Sequence, residues 1–197
     1  MNLKIKGKTT VANEVCNRLN NNFPDSAIVI PMDGWHIYQD QLVQQFGMEK
    51  GMQRRGAPWT FDFSLLFQEL TEAKRTGKAS LPEYSREISD PLSNQVSLEP
   101  HHKIVFVEGI YMLWKDDENW GKMFDLWDES WFVECPTRND QIERLMNRSL
   151  KTWSDEKVKL WGGGRNGAMA RIEYNDLKNA DTVRHCSQFA DEVIINW

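Results

Sequence analysis

Two periods of apolar residues alternate along the chain, and their order predicts its elements. From Lys8 to Leu19 the residues Val11, Ala12, Val15, Cys16 and Leu19 recur at helical spacing, which buries one face of a first helix. Asn20-Asn21-Asn22 and Pro24-Asp25 end it, and Ala27-Ile28-Val29-Ile30 follows as a wholly apolar run of the kind found in buried parallel strands. That run stops at Pro31-Met32-Asp33-Gly34, which sets Asp33 at the carboxyl end of a strand, where open α/β sheets gather their ligands. Residues 37–48 carry a weak helical pattern, and Gly51 to Trp59 reads as an exposed basic loop. Phe61 to Lys74 is a firmer helix with Phe63, Leu66, Phe67 and Leu70 as its stripe and Gly77 past its end. Leu81 to Leu98 reads as loop with two short strands, placed over a site or at an edge.

Lys103 to Val107 is a second strong buried strand, ended by Glu108-Gly109, and Trp131-Phe132-Val133 is a third apolar run. Asp140 to Lys151 is a helix with Ile142, Leu145, Met146 and Leu150 inward and Arg144, Arg148 and Lys151 outward. Ser154-Asp155-Glu156 caps the start of another helix, Gly162-Gly163-Gly164 breaks it, residues 167–175 resume it, and Glu192 to Ile195 is a last strand. Strands alternating with helices, without repeat or linker, predict one domain over residues 1–197: an α/β fold with a mostly parallel sheet covered on both faces.

Composition narrows the class. A 197-residue chain with 40% hydrophobic and 27% charged residues is long enough for one core. No run approaches the roughly 18 apolar residues of a membrane span, so no membrane partner is expected. The start lacks the pattern of a secretory signal, and Cys16, Cys135 and Cys186 share no disulfide or metal-ligand spacing, so a reducing, cytoplasmic setting is expected. A net charge of −5 argues against nucleic acid as a partner, because phosphate-backbone binding needs surplus Lys and Arg. The nine tryptophans gather mainly at 114–131 and 153–161, as core packing or as a pocket or interaction surface.

Gly7-Lys8-Thr9-Thr10 at a helix start supplies what a nucleotide phosphate needs: backbone N–H groups and a helix dipole, a lysine for the outer phosphates, and a hydroxyl for a magnesium shell. The same four residues also suit an ordinary threonine-capped helix start. Asp33 is either a base or metal holder at a strand end or an Asp-Gly turn residue, and Glu108-Gly109 repeats its placement on a second strand. Arg54 and Arg55 suit an anionic substrate or a solvated loop. Arg144 and Arg148, at i and i+4, suit a lid over phosphates or a solvated face. His36 suits a substrate hydrogen bond near Asp33 or a plain turn.

In order, Gly7-Lys8-Thr9-Thr10, Met32-Asp33-Gly34-Trp35-His36, residues 54–62 (RRGAPWTFD), Tyr84-Ser85-Arg86, Val107-Glu108-Gly109-Ile110-Tyr111 and residues 174–180 (YNDLKNA) resemble the phosphoribulokinase/uridine kinase family of P-loop kinases. That family includes pantothenate kinase, and the chain is most similar to its nucleoside and fructose-transport kinase-like branch. The resemblance implies a P-loop nucleoside triphosphate hydrolase fold. It also implies transfer of the ATP γ-phosphoryl group to a hydroxyl of a small metabolite, such as a nucleoside, a sugar or a pantothenate-like alcohol, with ATP and Mg²⁺ as cofactors. Within the nucleotide loop of Gly7, Lys8, Thr9 and Thr10, Lys8 would bind the β and γ phosphates and Thr9 the magnesium ion. Asp33 would be the base, Glu108 would support the metal shell, and His36, Arg55 and Tyr84 would line the acceptor pocket. Arg144 and Arg148 would belong to the lid, and the stretch around Asn175 and Asn179 would help enclose the nucleotide end. Oligomeric state is left open, a homodimer included.

One departure shapes the expectation. A full G-x-x-x-x-G-K-[ST] motif puts its leading glycine at position 2, where this chain has Asn2. Met1 to Lys6 is too short and too charged to be both the family's first strand and the first half of its loop. A truncated or mis-started kinase with its first strand largely missing is therefore expected. The alternative function is a catalytically impaired nucleotide-binding or interaction protein with an incomplete P-loop.

Overall fold

The computed structural model describes residues 7–196; the expectation of a missing first strand falls on Met1 to Lys6, outside the described residues. Helix α1 (Lys8–Asn22) leads to strand β1 (Ala27–Pro31), and β4 (Ile104–Glu108) lies parallel beside it, with Ala27 opposite Ile104 and Pro31 opposite Glu108. This register brings both strands to an end at the same level. A second parallel pair joins β5 (Trp131–Glu134) to β6 (Glu192–Ile195). Between them in sequence, β2 (Ala79–Ser85) and β3 (Asp90–Leu98) form an antiparallel ribbon with a register shift between Leu81 and Glu83.

The strand pattern predicts one mostly parallel sheet. Among the described residues the strands instead form two separate parallel pairs and the ribbon. A groove of about 1720 Å³ runs between the facing edges of β4 and β5, floored by Val11 and Val15 of α1. At its mouth Phe106 and Trp131 stand 6.2 Å apart, ring centre to ring centre.

The remaining helices are α2 (Gln39–Phe46), α3 (Met48–Gln53), α4 (Phe63–Thr76), α5 (Arg138–Lys151), α6 (Asp155–Trp161), α7 (Gly164–Arg171) and α8 (Leu177–Val183). A basic loop is predicted over 51–59, but its first residues belong to α3. Gly51 is buried there, where a Cβ would come within 2.9 Å of the Leu42 carbonyl oxygen, so this glycine serves close packing rather than chain reversal. Asp62 caps α4 by accepting from the Leu65 N–H, and Gly77 ends it in the left-handed region at φ 68°. Thr137 caps α5 by accepting from the Asp140 N–H. The helix predicted to resume at 167 resumes at Gly164. After α7 the rod widens into a π turn over Ile172–Asp176 before α8.

The main core gathers Ile30, Met32, Trp35, Leu66, Leu81 and Tyr111 from β1, α4, β2 and the chain after β4. Trp120 packs here as well, which gives the tryptophan cluster at 114–131 a core role. A smaller core of Met146, Ala168 and Ile172 holds α5 against α7 and the π turn. One polar contact fastens the start of the sheet: the Asn20 side chain donates to the Ala27 carbonyl and accepts from the Ala27 N–H, both at 2.8 Å. Ala27 is 3% exposed, so water cannot replace these bonds. Replacing Asn20 with alanine is expected to lower unfolding free energy by about 1–3 kcal/mol, read from urea midpoints at unchanged slope.

Candidate active site

The parallel register of β1 and β4 decides what meets at their carboxyl ends. Two residues past Pro31, Asp33 sits in the first turn of a 3₁₀ segment (Met32–Trp35), while Glu108 is the residue paired with Pro31. Two glycines allow the close packing. A Cβ on Gly34 would collide with the Pro82 backbone, and one on Gly109 would come within 2.6 Å of the Met32 Cβ.

Helix α1 points its amino end at this level. Gly7, its N-cap residue, has φ 126°, a conformation that glycine adopts without strain. The Thr9 hydroxyl donates to Glu108 Oε1 at 2.6 Å, so the two residues proposed for a metal ion are in direct contact. Lys8, Thr10, Arg144 and Arg148 all line the groove. Arg144 Nη2 donates to the Asn196 carbonyl at 2.7 Å, and Arg148 Nη2 to Asp176 Oδ1 at 3.2 Å.

The residues expected to hold the acceptor, His36, Arg55 and Tyr84, do not line this groove, and neither does Asp33. His36 Nδ1 lies 3.0 Å from the Asp33 carbonyl oxygen, which assigns the proton to that nitrogen and leaves Nε2 as an acceptor. The His36 ring packs on Phe61 at 4.1 Å and on Tyr84 at 5.1 Å. Burial depresses its pKa from the ordinary 6.5, with the Arg55 charge adding to the effect and Asp33 and Asp90 opposing it. Arg55, with 11% of its side chain exposed, donates through Nη2 to Asp90 Oδ1 at 2.7 Å and lies over the Tyr84 ring. Its Nε and Nη1 are buried and have no hydrogen-bond partner among the described residues. The structure thus brings His36, Arg55 and Tyr84 together around one site.

Three contacts were not legible in the chain pattern. Asp90, at the start of β3, is the counter-ion of Arg55 and also accepts from the Gln39 N–H at 3.0 Å. Tyr111, fully buried, donates its hydroxyl to the Gly56 carbonyl at 2.8 Å, and burial raises its pKa, keeping the proton in place. Asn175 and Asn179 are buried against the backbone of Arg55 and Gly56, so they brace the loop that carries Arg55. A signal existed for them: Ile172, Asn175, Asn179 and Val183 form a helical stripe, and asparagine on such a stripe needs a buried partner.

Strands ending in carboxylates beside a glycine-started helix, with a lysine and a hydroxyl in its first turn, make the fold that of a P-loop kinase. No protein-family model matches the chain. A curated relative, the ATP-dependent kinase-like protein notR′ of Aspergillus versicolor, is 35% identical over 157 residues, which cover 77% of this chain and 86% of that protein. A Schizosaccharomyces pombe protein, C227.14, provisionally named a uridine kinase, is 32% identical over 110 residues, 54% of this chain and 47% of that relative, so the chain matches about half of its length. Among solved structures, a provisionally named fructose transport system kinase of Silicibacter sp. TM1040 superposes with a TM-score of 0.80 at 27% identity, over 96% of this chain and 84% of that one. The chain belongs to the uridine kinase-like family of P-loop kinases. No helix among the described residues is long and apolar enough to cross a membrane.

Two outcomes follow from the acceptor side. Asp90→Ala strands the buried Arg55 charge and is expected to cost about 3–5 kcal/mol, read by urea unfolding. For His36, the unfolded chain takes up the proton first as pH falls, so this group's contribution to stability is complete above 6.5 and declines below it. Urea midpoints measured from pH 8 down to pH 5 are expected to fall less steeply below about 6.5 in His36→Asn than in the parent chain.

Proposed function

We propose that the chain transfers the γ-phosphoryl group of ATP to a hydroxyl of a small metabolite, a nucleoside, sugar or pantothenate-like alcohol, with Mg²⁺ as the metal. The observation that carries this reading is the 2.6 Å contact of Thr9 with Glu108 at the amino end of α1, level with the strand end that Asp33 follows. The name of the Aspergillus versicolor relative, an ATP-dependent kinase-like protein, supports the choice of nucleotide.

The donor set fits a hard divalent cation. Thr9 and Glu108 offer a hydroxyl and a carboxylate in contact, with Asp33 a second carboxylate at the neighbouring strand end, and oxygen ligands of this kind suit Mg²⁺. When bound, the ion neutralises charge on the β and γ phosphates. The chain's own groups do the rest. Lys8 and the free N–H groups of the first turn of α1 face the phosphates and favour their negative charge. Asp33 accepts the proton of the acceptor hydroxyl as the new O–P bond forms and the bond to the bridging oxygen of ADP breaks. His36 Nε2 and the Arg55–Tyr84 pair orient the acceptor, and Arg144 and Arg148 close over the transferring group. Surroundings of this kind accelerate the reaction by holding charge and geometry in place.

The test measures ATP consumption against a panel of nucleosides, sugars and pantothenate-like alcohols, with Mg-ATP binding followed by calorimetry. Asp33→Asn is expected to lower turnover by about 10²–10⁴-fold while leaving Mg-ATP affinity within a few fold. Lys8→Ala is expected to weaken Mg-ATP binding itself. Mg-ATP binding without turnover on any acceptor would replace the kinase reading with that of a nucleotide-binding protein.

A further inference from the structure

Between α7 and α8 the helical rod carries one turn in which the Leu177 N–H bonds the Ile172 carbonyl, five residues back. A π turn holds one residue more than an α turn and so rotates the faces beyond it by about 100°. Side chains from this segment reach two parts of the site at once. Asn175, 2% exposed, donates to the Arg55 carbonyl at 2.8 Å, and Asn179, 5% exposed, donates to the Gly56 carbonyl at 3.1 Å. Arg54 returns the contact, donating to the Tyr174 carbonyl at 2.8 Å and to Asn179 Oδ1 at 3.1 Å. The next residue, Asp176, accepts instead from Arg148 on α5 at 3.2 Å and from Arg171 at 2.7 Å.

We propose that Asn175 and Asn179 are positioning residues for the acceptor, acting through the backbone of Arg54 to Gly56, and that the π turn ties this loop to the lid arginine Arg148. The inference rests on the kinase reading above. The loop has little freedom of its own once these bonds form. The carbonyls of Arg55 and Gly56 are both taken, and the Gly56 N–H donates to the Thr60 hydroxyl at 2.9 Å. Arg55 therefore hangs from a fixed backbone, and its guanidinium reaches Asp90 only along that direction.

Arg148 has two alternative anions. Its partner in this structure is Asp176, which has only 13% of its side chain exposed, whereas Arg148 itself is 67% exposed and lines the groove that Lys8 also lines. Turning toward bound phosphate takes Arg148 away from Asp176 and leaves that carboxylate to Arg171 alone. The π turn then carries a changed charge balance one residue from the Asn175 contact. Nucleotide binding is thereby felt at the acceptor loop, relayed from Arg148 through Asp176 and Asn175, which touch neither ligand.

Amide hydrogen exchange of the full chain, with and without Mg-ATP, tests this. In the parent chain Mg-ATP is expected to slow exchange at residues 54–61 by about fivefold. Asn175→Ala, and separately Asp176→Asn, are expected to abolish that slowing while Mg-ATP affinity, measured by calorimetry, stays within a few fold. Should Asn175→Ala fail to fold, Asp176→Asn decides, because it leaves the Asn175 contacts in place. A merely structural role would raise exchange by the same factor with and without nucleotide, and an unchanged ratio in either variant overturns the proposal. So does Mg-ATP that binds the parent chain without altering exchange at 54–61. If Mg-ATP does not bind the parent chain at all, the kinase reading falls and takes this inference with it.

Discussion

The parallel pairing of β1 with β4 is the constraint on which the site depends. Because Pro31 stands opposite Glu108, the chain leaves both strands at one level, and Asp33 and Glu108 come to the same end of the molecule. A slip of one residue would turn Glu108 to the other face of the strand and break its contact with Thr9. Ile30 and Met32, almost fully buried, oppose such a slip, since it would bring apolar side chains out of the core. The apolar effect thus fixes the register, and the register fixes the chemistry.

The loop that carries Arg55 is held differently, by buried polar groups rather than by a sheet. Arg55 with Asp90, Asn175 and Asn179 with the loop backbone, and Tyr111 with Gly56 all trade water for internal partners. Such pairs add little net stability compared with apolar packing of the same volume, but each is expensive to break singly. Their arrangement therefore specifies one loop conformation more than it strengthens the fold. The glycine at 56, with φ 99°, belongs to the same arrangement, since it lets the chain turn under the Asn179 amide.

What the chain pattern reveals follows from how local its causes are. Helix α1 and strand β1 are legible because Val11 and the run at 27–30 announce their own burial. Strand β4 is legible because residues 104–107 are apolar throughout, although its predicted burial does not hold: Ile104 and Val105 are exposed beside the groove. Asp33 and Glu108 are legible because they follow those runs directly. Helix α3 is hidden because Gly51, locally a breaker, is required by the approach of the Leu42 carbonyl from another element. The ribbon is blurred because Pro82 and Pro91 interrupt its alternation, as edge strands allow. Asp90 as the partner of Arg55, and the π turn beneath Asn175, depend on contacts across 35 and 120 positions, which no local period encodes.

That separation has a kinetic side. Thr9 and Glu108 are 99 positions apart, so their contact closes only after the β2–β3 ribbon and α4, which lie between them, have taken their places or been looped out. Contacts across such distances form slowly, because chain entropy is lost before they reward it. The joined ends of α1 and β4 are therefore absent from any partly folded species that holds only its local elements. Formation of this contact during refolding would mark a late step of the process.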